Sequence, residues 1–244
     1  MDPASAPQAA PPPPAPLSKA SRYAAVSAGL EEFFASPAYS AVGGLDLVAR
    51  MATVASFLKH TFHEWVFCGF YCTREEGKWL SVGPYQGDVL ATGASGGGGG
   101  GGGGVCVCVC VCVWGGGGAR GQRKLSLCTW IKLLHLSLLP LLPAALIGWG
   151  AGVCGTAAAT RETQIVDDVS TCNNYIPCDD LTRSEIVVPV WGYNLAGEPD
   201  VRAAAGAPRR LIAVLDIDTG ELAAFDAEDA AHLEAMMERW FGRY

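Results

Sequence analysis

Residues able to do chemistry are concentrated in the last third of the chain. Cys178 lies among small and polar residues (NNYIPCDD), and Glu185 opens an apolar segment seven residues later. Asp216 and Asp218 alternate with apolar residues in the segment LIAVLDID, so both should lie on one face of a strand. A thiolate is a nucleophile, and a carboxyl pair beside apolar residues is costly to bury unless it binds something. The pattern favours thiol chemistry on a small molecule, although either aspartate alone would fit a strand end whose acid meets water.

Charge and cysteine usage narrow the class of protein. The formal charge of −7 and scattered basic residues argue against a nucleic-acid partner, which requires clustered Lys and Arg. The N-terminus lacks the apolar core of a secretory signal, so we expect a cytosolic protein. In that compartment the ten cysteines are expected as buried residues, metal ligands or redox groups rather than as structural disulfides.

The hydrophobic pattern predicts an α/β (α+β) domain with a central antiparallel sheet between N- and C-terminal helices. We expect Gly83-Pro84 to end the second strand, and Asp226 to cap the last helix. The predicted helices are Ser18–Ser36, Leu45–Lys59, a short Ala-rich helix within Gly152–Arg161, and Asp226–Phe241; the predicted strands are Glu64–Cys72, Trp79–Val82, Gln164–Val169, Glu185–Trp191 and Leu211–Asp218.

Two stretches do not fit that domain. Residues 1–17 are mostly Pro, Ala, Ser and Gln, and are expected as a disordered arm. Residues 92–146 contain a glycine run, a Val/Cys alternation and an apolar stretch. The predicted single domain therefore comprises residues 18–91 and 147–244.

The Val/Cys alternation is a poor match to a metal site. Period 2 would place Cys106, Cys108, Cys110 and Cys112 in parallel on one face, whereas a tetrahedral site needs converging ligands. A repeat of alternating G and T encodes Val-Cys, and poly-G encodes glycine. We therefore interpret residues 92–146 as translated non-coding sequence.

The apolar stretch Leu125–Gly150 is long enough for a transmembrane helix. Pro140, Pro143 and His135 argue against a span, and the stretch lies largely within the same block. Translated non-coding sequence is our preferred interpretation, with a membrane anchor as the alternative.

Five ordered motifs resemble the free methionine-(R)-sulfoxide reductases, which are single-domain enzymes of the GAF fold. The resemblance extends over everything except the N-terminal arm and the block. The motifs are FCGFYC (Phe67–Cys72), VGPYQG (Val82–Gly87), GVCGTA (Gly152–Ala157), VDDVSTCNNYIPCDDLTRSEIVVPV (Val166–Val190) and VLDIDT (Val214–Thr219).

The resemblance implies a role for each matched residue. Cys178 matches the thiolate that attacks the sulfoxide sulfur. Glu185, Asp216 and Asp218 match acids that hold the substrate ammonium and assist protonation of the oxygen. Phe67 and Tyr71 match the aromatic wall around the substrate methyl group, with Phe67 where the family usually has Trp.

The chain departs from the family at the second thiol. The family's resolving cysteine would fall at position 91, where this chain has Ala91. Cys154 could resolve Cys178, or it could be a small buried residue in a tight glycine loop. Cys172, six residues before Cys178, is a further candidate. Cys68 and Cys72 are expected as buried residues in a strand.

The expected function is therefore reduction of free L-methionine (R)-sulfoxide, with thioredoxin as external reductant and with neither metal nor organic cofactor. The resemblance also suggests a homodimer. A GAF sensor domain that binds a small molecule without turnover is the alternative, and the joint presence of the thiol and the three acids favours the enzyme.

Overall fold

The structure, a computed structural model, describes residues 17–41, 46–87, 146–177, 180–196, 198 and 208–243. The predictions for residues 1–16 and 92–145, for Ala91 and for Cys178 lie outside these ranges. Leu146, placed at the end of the block from the sequence, is the first residue of a strand.

A six-stranded sheet forms the centre of the described chain, and its neighbouring strands pair antiparallel. Its spatial order is β3-β2-β1-β6-β5-β4, so the strands that carry the acids are neighbours. The strands are β1 (Trp65–Glu75), β2 (Trp79–Gly87), β3 (Leu146–Gly148), β4 (Gln164–Val166), β5 (Ser184–Gly192) and β6 (Arg210–Thr219).

Helices precede, interrupt and follow the strands. Ser18 and Asp46 cap the two long N-terminal helices through their side chains, and Asp226 forms a capping box with Asp229 on the last helix. The helices are α1 (Lys19–Ala35), α2 (Pro37–Ala41), α3 (Leu47–Thr61), α4 (Gly152–Thr160) and α5 (Ala227–Phe241). The predicted α+β class, with an antiparallel sheet between terminal helices, is confirmed.

The sheet separates two cores. Leu215 and Ile217 of β6, two residues apart, pack with buried residues of α1, α3 and α5. Val214, which alternates with them, packs on the other face with α4 and β3. Strand alternation therefore puts Asp216 and Asp218 on the α4 face, among side chains that form a smaller core.

The prediction that Gly83-Pro84 ends β2 was wrong, because the strand continues to Gly87. The register against β1 shifts between Gly69–Tyr85 and Tyr71–Val82, so two residues of β2 face one residue of β1. Such a bulge accommodates Pro84, which has no N–H to donate. A Cβ on Gly83 would lie 2.6 Å from the sulfur of Cys72.

Strand β3 was not predicted, because its three residues lie in the apolar stretch read as a membrane span or as translated non-coding sequence. They pair with Trp79–Ser81 of β2 at the edge of the sheet. Among the described residues, no helix is both long and apolar enough to cross a membrane.

Candidate active site

Strands β5 and β6 bring three acidic side chains together on the α4 face. Glu185 lies directly opposite Asp218, and Asp216 is two residues before Asp218 on the same strand. Directly opposed side chains on neighbouring strands have Cβ atoms about 5 Å apart. All three are buried, with exposed fractions of 4% for Glu185, 0% for Asp216 and 1% for Asp218.

The N-terminal turn of α4 adds a thiol to the acids. The Cys154 Sγ and one carboxylate oxygen each of Glu185 and Asp216 all lie within 4.8 Å of one another. Cys154 is 3% exposed, so this thiol meets the acids and the core rather than solvent.

Two glycines allow the first turn of α4 to pack directly against the end of β3. Gly152 begins the helix at a φ of 60°, in the left-handed region. A Cβ on Gly155 would lie 2.2 Å from the carbonyl oxygen of Gly148, and the Gly155 oxygen accepts a 2.7 Å hydrogen bond from the N–H of Gly150. The GVCG sequence thus places Cys154 by packing helix backbone directly on the β3–α4 turn.

Aromatic rings from β1 and β2 form a wall beside the acids. Phe67 faces Asp218 across the β1–β6 pairing, and its ring is 5.3 Å from that of Tyr85, at an interplanar angle of 25°. The Tyr71 ring is fully buried and lies 6.3 Å from Phe67. Gly69 makes this possible, since a Cβ there would lie 2.3 Å from the Cβ of Tyr85.

Glu185 favours its protonated form. Burial raises the pKa of its carboxyl well above the usual range, and the charges of Asp216 and Asp218 act in the same direction. A hydrogen bond with Asp216 and the charge of Cys172 raise this pKa further. Like charges taken out of water resist joint ionisation, so the cluster can hold a proton or attract a cation.

The segment between β4 and β5 packs against α4 at the same place. Ile176 touches the position that a Cβ of Gly152 would occupy, and the Asn174 side chain donates to the carbonyl oxygen of Gly150 at 3.3 Å. Cys172, half-buried at the end of a 3₁₀ turn, packs against the same core as Cys154.

The structure thus brings together Cys154, Glu185, Asp216, Asp218, Phe67 and Tyr71, and places Cys172 beside them. Cys178 lies outside the described residues, two residues after Ile176. Cys68 and Cys72 are buried on the opposite face, as expected, and burial raises the pKa of Cys72 to about 11.

Sequence reasoning missed Tyr85 and Ile176 at the site. The stacking of Tyr85 on Phe67 depends on the strand continuing past Pro84, which the sequence argued against. Ile176 belongs to a segment without regular period. The aromatic residue of VGPYQG was a signal that could have indicated Tyr85.

The cluster also has the ligand types of a metal centre, since thiolate and carboxylate both bind Zn²⁺. The expectation that no metal takes part stays a prediction.

A second depression, of about 430 Å³, lies away from this cluster, beside α5 and the end of β5. Two of its carboxylates are engaged in hydrogen bonds: Glu234 accepts from Thr163 at 2.5 Å and Glu238 from Arg209 at 2.6 Å, and it contains no cysteine. We therefore assign the chemistry to the thiol–acid cluster.

The fold is that of GAF-domain structures, and it carries a buried thiol–carboxylate cluster. Two solved structures of similar fold each align with most of the chain. A free methionine-R-sulfoxide reductase of Neisseria meningitidis, in complex with its substrate, is 26% identical with a TM-score of 0.57, covering 94% of this chain and 92% of that one. A GAF sensor candidate of Burkholderia vietnamiensis is 26% identical with a TM-score of 0.56, covering 93% and 96%.

Sequence comparison agrees with the structural one. The free methionine-R-sulfoxide reductase of Saccharomyces cerevisiae is 40% identical over 91 residues, which is 37% of this chain and 43% of that protein. The chain matches about half the length of the curated relatives. No family model matches. The predicted resemblance to the free methionine-(R)-sulfoxide reductases is confirmed.

Proposed function

We propose that this protein reduces free methionine (R)-sulfoxide to methionine. The observation that carries the proposal is the buried cluster of Cys154, Glu185 and Asp216 beside an aromatic wall. The resemblance to reductases of this substrate supports it.

The cluster suits a free amino acid because it combines acidic and apolar groups at one place. The ammonium group of the substrate would meet Asp216 and Asp218, where desolvation strengthens its attraction to the carboxylates. The methyl group and sulfur would lie against the rings of Phe67 and Tyr71. A methionine residue within a protein has no free ammonium, and so would lose the charged contact.

The chemistry begins with Cys178 as nucleophile. Its thiolate sulfur bonds to the sulfoxide sulfur while the oxygen takes a proton, for which the protonated Glu185 is the donor. Transfer of the oxygen to the Cys178 sulfur breaks both the S–O bond of the substrate and the bond between the two sulfurs, which releases methionine and leaves a sulfenic acid. The sulfoxide is reduced and the thiol oxidised by two electrons, so the step balances.

Recycling needs a second thiol and an external dithiol. A thiol of the chain attacks the sulfenic acid, water leaves, and a disulfide forms. Thioredoxin then reduces the disulfide by exchange. We place this cycle in the cytosol, where a dithiol pool keeps cysteines reduced, and expect the protein to act as a homodimer.

The test is thioredoxin-coupled NADPH consumption by the full chain with free methionine (R)-sulfoxide. Turnover should require Cys178, so Cys178→Ser should be inactive. Cys72→Ser, on the opposite face, should retain activity as the matched control. The (S)-sulfoxide tests stereospecificity, and a version lacking residues 92–146 tests whether the block obstructs the site.

A binding-only GAF domain is the second candidate, favoured by the similarity to the Burkholderia vietnamiensis protein. Calorimetry of methionine sulfoxide binding, combined with the assay of methionine release, separates the sensor from the enzyme. A folded protein that binds methionine sulfoxide without releasing methionine, with and without residues 92–146, would replace the enzyme by a sensor.

A further inference from the structure

Two thiols of the described chain lie in the core on the α4 face, and they differ in their exposure to solvent. Cys154 is 3% exposed, whereas Cys172 is half-buried. Both pack in the core on the α4 face. Any disulfide that an external dithiol must reduce has to be reachable from solvent, which favours Cys172.

Cys154 is held in place by backbone packing. Its helix turn is fixed by the hydrogen bond from Gly150 to Gly155 and by that from Gly155 to Ala151, at 2.7 and 2.9 Å. Moving Cys154 toward a partner, or opening it to a reductant, would break these contacts. Its Sγ also lies within 4.8 Å of carboxylate oxygens of Glu185 and Asp216, so the thiol contacts the acid cluster rather than solvent.

Cys172 lies in the connection between β4 and β5, where its backbone hydrogen bonds are local. Its N–H donates to Val169 at 3.1 Å and its carbonyl accepts from Tyr175 at 3.3 Å, both within one local turn. No strand pairing holds the residue. The side chain nevertheless packs against the core that contains Cys154.

We propose that Cys172 is the resolving thiol of this site. The proposal rests on the proposed function, in which Cys178 becomes a sulfenic acid. The Cys172 sulfur attacks the Cys178 sulfur, the S–O bond breaks, and the hydroxyl leaves as water with the thiol proton. Six residues of chain can span about 20 Å and a disulfide needs about 6 Å between Cα atoms, so chain length poses no obstacle.

The experiment compares single and multiple turnover in the full chain and in Cys172→Ser, Cys154→Ser and the control Cys72→Ser. Reduced protein, freed of reductant, receives excess methionine (R)-sulfoxide, and released methionine is measured. Peptide mapping then locates the disulfide, and a cyclic 1,3-diketone traps sulfenic acid. The same proteins are assayed at steady state with thioredoxin and with 2-mercaptoethanol.

We expect Cys172→Ser to release about one equivalent of methionine, to retain a trappable sulfenic acid and to lose thioredoxin-dependent turnover. Turnover should return with 2-mercaptoethanol, which reduces the sulfenic acid directly; a mere structural defect would not be rescued by a change of reductant. Cys154→Ser also alters the acid cluster, so its rate is not the criterion; the methionine that it releases should be matched by a Cys172–Cys178 disulfide.

A disulfide mapped to Cys154 or to a cysteine of residues 92–146 would overturn the assignment, as would thioredoxin-dependent turnover of Cys172→Ser at the wild-type rate. Failure of the proposed function looks different, since wild-type protein would then release no methionine at all.

Discussion

Adding one methyl group at Gly155 tests whether backbone packing positions α4. Intrinsic helix propensity favours Ala over Gly by about 1 kcal/mol. Against this, the new Cβ would lie 2.2 Å from the carbonyl oxygen of Gly148, and the two must separate by more than 1 Å to reach ordinary contact. That oxygen belongs to strand β3 and cannot rotate away as a flexible side chain would.

The clash should therefore outweigh the propensity. Forced overpacking costs about 1–3 kcal/mol. For a chain of this size each kcal/mol lowers Tm by about 2–4 °C, so Gly155→Ala should lower Tm by about 2–12 °C. The Cys154 thiol should also react faster with an alkylating agent, because its helix turn is displaced.

Gly148→Ala is the matched control. Its Cβ would meet Trp79 at 3.6 Å and Ala151 at 4.0 Å, which are ordinary contacts. Ala in a strand is favoured over Gly by about 0.5–1 kcal/mol, so this variant should be neutral or stabilised. Thermal unfolding of both variants decides the matter: if Gly155→Ala melts at or above the wild-type Tm, close backbone packing does not position Cys154.

Three further perturbations follow from the same contacts. Because burial and the neighbouring acids raise the folded-state pKa of Glu185, the folded chain holds that proton more tightly than the unfolded chain, and stability should fall as pH rises above about 4.3 toward the folded value. Urea unfolding at a series of pH values should show this loss of stability in wild type and a flatter dependence of stability on pH in Glu185→Gln. The same dependence in both proteins would refute the raised pKa of Glu185 as its cause. Tyr23→Phe removes the 2.8 Å hydrogen bond to buried Asp229 and should cost about 1–3 kcal/mol by the same method, with a cost near zero contradicting a role for the bond. Tyr85→Ala removes the ring stacked on Phe67 and should raise KM for methionine sulfoxide by about two- to tenfold, from about 0.5–1.5 kcal/mol of ring contact, while an unchanged KM would exclude Tyr85 from the wall.

The sheet and its terminal helices could be predicted because their residues follow simple periods. The alternation in LIAVLDID was enough to place Asp216 and Asp218 on one face, and EIVVPVW marked the strand that carries Glu185. What brought the acids together was the order β6-β5, with Glu185 opposite Asp218. Pairing register is a long-range property that a single strand's pattern does not contain.

The failures have local physical reasons. Gly83-Pro84 is a typical turn signal, but a bulge opposite β1 removes the need for the proline N–H. β3 has only three residues at the end of an apolar stretch, so no period could distinguish it. Cys172 stayed one candidate among several because side-chain exposure and proximity to Glu185 follow from tertiary packing, which sequence spacing does not report.

The buried acids explain why this face of the sheet carries a smaller core than the other. Apolar residues at Glu185, Asp216 and Asp218 would join Val187 and Val214 in one continuous layer, as on the opposite face. The chain instead buries three carboxyl groups, which is unfavourable in the absence of a cation or a shared proton. A substrate ammonium would relieve that cost on binding and would also remove the charge repulsion within the cluster. Under the proposed function, the groups that weaken the empty fold are the ones that would bind substrate and donate the proton, and the expected loss of stability with rising pH is the measurable sign of that trade-off.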